Sequence, residues 1–286
     1  MYLAHFGLRE FPFGITPDTA FSFDTRAHRA ALNTLLVAGA QDEGFVKIVG
    51  EVGTGKTLLC RRLLAEVPRA VRTAYIPNPW LDPRGLLLAL AAELRLRPPP
   101  DASEYELLKR LNRALLRHAK AGRRVLLCMD EAQALPLESL EALRLLSNLE
   151  SEKRKLIQVV LFGQPELDRK LGLYQARQLR SRIAFSCRLS GLSGDEIGAY
   201  LAHRLGVAGA ARTDLFTRQA QAVLAAFSRG VPRPLNIMAH KALMLAYGAG
   251  APRVTLRHAW LAARDGESGA GLAAGVGGLL RACLPR

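Results

Sequence analysis

Eight consecutive residues, Gly50, Glu51, Val52, Gly53, Thr54, Gly55, Lys56 and Thr57, fit the pattern Gly-x4-Gly-Lys-Ser/Thr in full. These residue types at this spacing suit a polyphosphate. The glycines let backbone N–H groups wrap phosphate oxygens, and a helix starting at the loop's end adds the positive end of its dipole. Lys56 would reach the β- and γ-phosphates, and Thr57 would give its hydroxyl to Mg²⁺. A glycine-rich turn between strand and helix has a similar composition. The context separates the two, because an apolar run at 45–49 precedes the motif and a helix-compatible run at 58–64 follows it. The expected ligands are ATP and Mg²⁺.

A second apolar run, 125–129, ends in Asp130 and Glu131. A carboxylate at a strand end beside a P-loop completes the Mg²⁺ shell, a role that falls to Asp130, and Glu131 could polarise the attacking water. Acidic pairs at strand ends are common, and the upstream P-loop is what gives this one a catalytic meaning. Gln164 follows the run 156–162 after Gly163, either as an amide that orients the lytic water or as a turn residue before Pro165. Arg180 and Arg182 precede the run 183–189. Either could reach a neighbouring subunit's γ-phosphate, against the default of a solvated basic face. Arg233 follows Gly230, Val231 and Pro232 and opens a helix, as a nucleotide contact or as an exposed charge.

These residues need a scaffold, and the chain supplies one. Five short apolar runs (45–49, 73–76, 125–129, 156–162 and 183–189) suit strands of a parallel sheet buried on both faces. Amphipathic segments at 58–66, 84–95, 104–120 and 137–150 alternate with them, and Ser103 is placed to cap the third. A helix, the run 73–76 and two more helices separate the P-loop from Asp130, so another strand can sit between their two strands. After Leu189 only helices are expected, at 194–205, 218–227, 234–247 and 256–265, forming an all-helical domain. The tail from 267 to 286 is glycine-rich and expected to be poorly ordered.

The 286 residues are 49% hydrophobic, ample for a core. The net charge is +15, which favours nucleic acid, an anionic membrane surface or phosphate as partner, although the basic residues are scattered along the chain. Cys60, Cys128, Cys187 and Cys283 have no metal-ligand or redox spacing, which excludes zinc and CxxC readings and suits a reducing, cytoplasmic setting. No stretch has signal-peptide layout or the roughly 20 apolar residues that span a bilayer.

Taken together, these motifs resemble the AAA+ ATPases of the ExeA/GspA-like group, which serve type II secretion and type IV pilus assembly. The resemblance covers nearly the whole chain. It includes Tyr2-Leu3-Ala4-His5-Phe6-Gly7-Leu8, Pro12-Phe13, Thr16-Pro17-Asp18-Thr19, Asp130-Glu131-Ala132-Gln133, Leu161-Phe162-Gly163-Gln164-Pro165-Glu166-Leu167 and Gly230-Val231-Pro232-Arg233. The N-terminal box is its most family-specific part and looks closest to the branch serving the mannose-sensitive haemagglutinin (MSHA) pilus. The resemblance implies a P-loop NTPase of three α/β/α layers with a five-stranded parallel sheet, plus a C-terminal all-helical lid. It implies an adenine-enclosing segment at 1–30 around Pro12 and Phe13, an ATPase domain at 31–190 and a lid at 191–266. Gln164 becomes sensor 1, Arg233 sensor 2, Arg182 the preferred arginine finger and Arg180 the second choice. The implied function is ATP-driven assembly of an MSHA-type pilus or a type II secretion machine. The chain would act as a homo-oligomer in the cytoplasm or at the inner membrane, on a membrane-bound assembly partner. Larger members carry a membrane span and a peptidoglycan-binding domain after the ATPase part, and this chain looks like the stand-alone version. The alternative is a DNA-binding AAA+ ATPase of the transposition target-selection type. It is less favoured because basic and aromatic residues do not interleave and no clear helix-turn-helix is found.

Overall fold

The computed structural model describes residues 2–40, 44–148 and 155–265. The tail expected at 267–286, the end of the helix expected at 137–150 and Cys283 lie outside the described residues. The strands are β1 (Phe45–Gly50), β2 (Val71–Ile76), β3 (Arg124–Met129), β4 (Ile157–Gly163) and β5 (Ile183–Leu189). Helix α1 (Tyr2–His5) opens the chain. Helices α2 (Arg26–Ala40), α3 (Lys56–Glu66), α4 (Pro83–Glu93), α5 (Glu104–Lys120), α6 (Leu137–Ser147), α7 (Pro165–Leu171) and α8 (Arg177–Arg180) accompany the strands. Helices α9 (Gly194–Val207), α10 (Arg218–Ser228), α11 (Pro232–Gly248) and α12 (Leu256–Arg264) follow them. The chain divides into two units, one of residues 26–52 with 56–189 and one of the segment up to 25 with 53–55 and 190 onward.

The first unit is the expected α/β/α sandwich. All five strands are parallel, in the order β2-β3-β4-β1-β5. Side chains alternate between two cores. Phe45 and Val49 of β1, Leu127 and Met129 of β3 and Val159 and Leu161 of β4 meet Leu86, Leu90, Leu107, Leu111 and Leu143 of α4, α5 and α6. Val46, Ile48, Cys128, Val160 and Phe162 meet Leu32, Leu35, Leu59, Cys60 and Leu63 of α2 and α3. Both faces are therefore apolar, which explains the unbroken apolar runs. β5, one of the two edge strands, differs in leaving Ala184, Ser186 and Arg188 exposed. Local signals set the helix ends. Asp82 accepts from the Gly85 N–H with Pro83 at the first position of α4, and Ser103 and Glu106 form a reciprocal capping box on α5.

In the second unit α9 to α12 pack around Leu201, Leu205, Leu224, Leu235, Ala239 and Leu243. The N-terminal segment belongs to the same core, in which Tyr2, Phe6, Leu8, Phe13 and Phe21 are buried. Thr217 caps α10, and Arg229 and Gly230, both in left-handed backbone, end it before Pro232 starts α11.

Candidate active site

The parallel arrangement brings several chain segments to one edge of the sheet. β1 runs out at Gly50, β3 at Met129 and β4 at Gly163, and β4 lies between the other two. The P-loop, Asp130-Glu131 and Gln164 therefore emerge side by side at the carboxyl ends of adjacent strands, where open α/β sheets bind ligands. Gly53 and Gly55 adopt φ of 83° and 91°, left-handed backbone in which a side chain is strained. Gly53 packs against Arg233 in the helical unit, and a Cβ there would stand 2.4 Å from the Arg233 Cβ.

Lys56, the first residue of α3, is buried, and its Nζ donates to the carbonyls of Gly50 at 2.8 Å and Glu51 at 3.0 Å. Burial pulls its pKa below the usual lysine range, and the charges of Glu131 and Asp130 oppose that pull. Thr57 Oγ1 donates to Asp130 Oδ2 at 2.6 Å. Asp130 is 3% exposed, and its Oδ1 accepts from the Glu131 N–H at 3.0 Å. Burial drives the Asp130 carboxyl above its ordinary range, although the Thr57 and Glu131 hydrogen bonds favour the charged form. A buried carboxylate beside a hydroxyl is an all-oxygen donor pair that a hard cation would relieve, so these residues fit Mg²⁺. Such an ion takes one or two protein ligands plus phosphate oxygens. Among the described residues no group of three or more His, Cys, Asp or Glu could hold a metal.

Glu131 is set differently. Its backbone is left-handed (φ 51°, ψ 38°), at a cost of roughly 1–2 kcal/mol for a residue with a Cβ. Its Oε2 accepts from Gln133 Nε2 at 2.5 Å and from Gln164 Nε2 at 3.0 Å. Burial acts to raise this carboxyl, but the two amide hydrogen bonds and the Lys56 charge outweigh it and hold the pKa below the ordinary value. Two neighbouring carboxylates are thus displaced in opposite directions by their surroundings.

Gln133 is the residue that sequence reasoning missed. It orients Glu131, and its Oε1 accepts the Gln164 N–H at 3.0 Å, joining the ends of β3 and β4. Lys170 of α7 braces the same turn by donating to the carbonyls of Gln133 at 2.6 Å and Leu135 at 2.5 Å. The available signal was the pair of side-chain amides, Gln133 and Gln164, placed after two neighbouring strand ends. Gly163 belongs with them, since a Cβ there would lie 2.7 Å from Leu167 Cδ2 and 3.4 Å from Gln133 Oε1.

The remaining expected residues make contacts of their own. Arg182 Nη1 donates to Ser147 Oγ at 3.1 Å. Arg180 ends α8 exposed, and its guanidinium has no hydrogen-bond or ion-pair partner among the described residues. Arg233 lies in the first turn of α11. Pro12 and Phe13 are built into the helical unit, where the Pro12 carbonyl accepts from Arg204 Nε at 2.5 Å and Phe13 meets Phe216 edge-on at 5.7 Å.

A family model described as an AAA domain matches residues 39–171. Among solved structures, the ORC2 protein of Aeropyrum pernix in ADPNP-ADP complexes superposes with a TM-score of 0.64 at 18% identity. The match covers 88% of this chain and 72% of that one. The chain has the AAA P-loop NTPase fold. The RuvB Holliday junction branch migration motor of Thermotoga maritima matches this AAA fold with a TM-score of 0.57 at 16% identity, over 88% and 76% of the two chains. In sequence the chain is similar to General secretion pathway protein A of Aeromonas hydrophila, at 41% identity over 254 residues. That alignment takes in 89% of this chain and 46% of the relative, so the chain spans less than half the relative's length.

Proposed function

We propose that the chain binds and hydrolyses ATP and uses the cycle to drive assembly of a type II secretion or MSHA-type pilus machine. The observation carrying the hydrolytic part is Glu131, held ionised by Gln133 and Gln164 in the cluster that holds Lys56 and the Thr57–Asp130 pair. Lys56 would exchange its carbonyl partners for β- and γ-phosphate oxygens. Thr57 Oγ1 and Asp130 would hold Mg²⁺, whose charge offsets that of the phosphates. Gln164 and Glu131 would orient a water. As the water oxygen attacks the γ-phosphorus its proton passes to the Glu131 carboxylate, and the bond to the β–γ bridging oxygen breaks with the electron pair leaving on ADP.

Homo-oligomerisation supplies the arginine finger from a neighbour. Arg182 is the first choice by resemblance, whereas the exposed and unpartnered Arg180 is better disposed to reach another subunit. Arg233 would contact the nucleotide from the lid, and Pro12 and Phe13 would seat the segment that borders the adenine. The secretion assignment rests on the similarity to General secretion pathway protein A, and the pilus branch on the N-terminal box. Among the described residues no helix is long and apolar enough to cross a membrane, which suits a peripheral position beside a membrane-bound partner. The test uses Glu131→Gln together with Arg180→Ala or Arg182→Ala. Glu131→Gln should keep ATP binding and lose phosphate release, and mixing it with the correct arginine variant should restore turnover in mixed oligomers. If wild type releases phosphate no faster than Glu131→Gln, the hydrolytic reading fails, and if no mixture recovers, the finger does not act across subunits.

A further inference from the structure

The basic residues, scattered in sequence, gather in the fold. On α5, Arg110, Arg113, Arg117 and Lys120 follow one another at intervals of three and four residues, and so share one face of the helix. The opposite face, with Leu107, Leu111 and Leu115, is buried in the α/β core. Leu96, Arg97 and Pro98, from the chain leaving α4, stand beside the cationic face and complete a recess of about 580 Å³. All five cations are exposed, none has a hydrogen-bond or ion-pair partner among the described residues, and no carboxylate joins the lining. A second recess of about 380 Å³ shares Leu96 and Arg117 with the first and adds Arg95 and Arg123. His118 registers this field. Burial first, then the charges of Arg123, Arg72 and Arg117, hold its imidazole below the usual histidine range.

Like charges at helical spacing repel, so the stripe destabilises the free protein unless an anion meets it. We propose that this groove binds the phosphate backbone of duplex nucleic acid without reading its sequence. From Arg110 to Lys120 the stripe extends about 15 Å at helical rise, several times the 3.4 Å spacing of phosphates along one strand, so it matches a polyanion rather than one phosphate. Guanidinium groups dominate it, and these pair bidentately with phosphate oxygens. An anionic bilayer fits less well. Interfacial binding is strengthened by exposed apolar side chains beside the cations, whereas Leu96 and Leu116 are half-buried in the lining. No aromatic lines the groove to stack an unpaired base, which favours duplex over single strand. The proposal is independent of the ATPase reading, since none of these residues belongs to the P-loop cluster.

The test is fluorescence anisotropy of a labelled mixed-sequence duplex with the full chain across rising salt. Five neutralised phosphates give a slope of log K against log salt of about −4.5. Arg113→Ala/Arg117→Ala should weaken binding and reduce that slope by about 2. Arg218→Ala/Arg257→Ala removes the same charge from exposed arginines of the helical unit and should leave the slope unchanged. Circular dichroism checks that both variants fold, and a misfolded groove variant is replaced by Arg113→Gln/Arg117→Gln. Equal weakening by both pairs would mean diffuse attraction to net charge and would overturn the groove. So would duplex binding unaffected by the groove pair, or wild-type binding to phosphatidylglycerol vesicles but not to duplex.

Discussion

Replacing Gln133 with alanine separates positioning from binding at the proposed site. The substitution removes the 2.5 Å hydrogen bond to Glu131 Oε2 and the acceptor that holds the Gln164 N–H at 3.0 Å. It touches neither Lys56 nor Thr57. A hydrogen bond to a charged group is worth about 1.5–3 kcal/mol, and Glu131 is only half-buried, so the lower end applies. About 1.5 kcal/mol corresponds to a loss of roughly 10-fold in kcat. Nucleotide affinity should not move, because the loss falls on Glu131, the carboxylate proposed to activate water, and not on the proposed phosphate and Mg²⁺ contacts. Gln164→Ala should cost a similar factor. The double variant should lose less than the product of the two, because removing Gln133 already frees the amide that positions Gln164. Steady-state phosphate release with nucleotide binding measured separately reads all three. Unchanged kcat in Gln133→Ala, or a rise in Kd equal to the fall in kcat, would refute the positioning role. Strictly multiplicative losses would refute the coupling through the Gln133 Oε1 contact.

Two further outcomes follow from other parts of the molecule. Thr57→Val keeps the shape but removes the hydroxyl that donates to Asp130 at 2.6 Å, so Mg²⁺ should no longer strengthen nucleotide binding; calorimetry with and without EDTA checks this, and an undiminished Mg²⁺ response counts against Thr57 as ligand. Tyr2→Phe removes the hydroxyl bonded to His240 Nδ1 at 2.8 Å and should cost about 0.5–1.5 kcal/mol in urea unfolding. Burial raises the Tyr2 pKa from 10.0 to about 12 in the fold, so the stabilisation is complete below about pH 10 and is lost as pH rises toward 12, and the variant should show a shallower alkaline decline.

The sheet was legible because both faces are buried, leaving apolar runs at β1, β3 and β4 that only a two-sided strand explains. β5 was legible as a strand but not as an edge, since Phe185, Cys187 and Leu189 mask the exposure of the residues between them. Helix α7 carried readable signals in Pro165, Glu166, Asp168, Arg169 and Lys170, yet its seven residues are too short for a periodicity to register. At the site, Lys56, Thr57, Asp130 and Glu131 were legible because their spacing is set by contiguous chain. The Gln133–Gln164 contact and the placing of Arg97 beside the α5 cations depend on contacts between segments, which no local pattern encodes.

The N-terminal box is the most distinctive stretch of the sequence, and its residues do structural work. Tyr2 bonds His240 of α11, and the Gly14 carbonyl accepts from Asn236 Nδ2 of the same helix at 3.2 Å. Arg204 of α9 holds the Pro12 carbonyl and lies over the Phe21 ring at 4.8 Å. Asn236 and His240 stand one and two turns after Arg233 on α11. A rotation of α11 that carried Arg233 toward or away from a nucleotide would therefore carry the N-terminal segment with it, because the part-buried hydrogen bonds and aromatic contacts joining them would otherwise have to break. If Arg233 and the N-terminal segment both contact the nucleotide as proposed, those contacts belong to one body, and an ATP-dependent displacement would be a single equilibrium rather than two. That coupling needs no chemistry from Pro12 or Phe13 themselves. It needs only that their segment be fastened to the helix that bears Arg233.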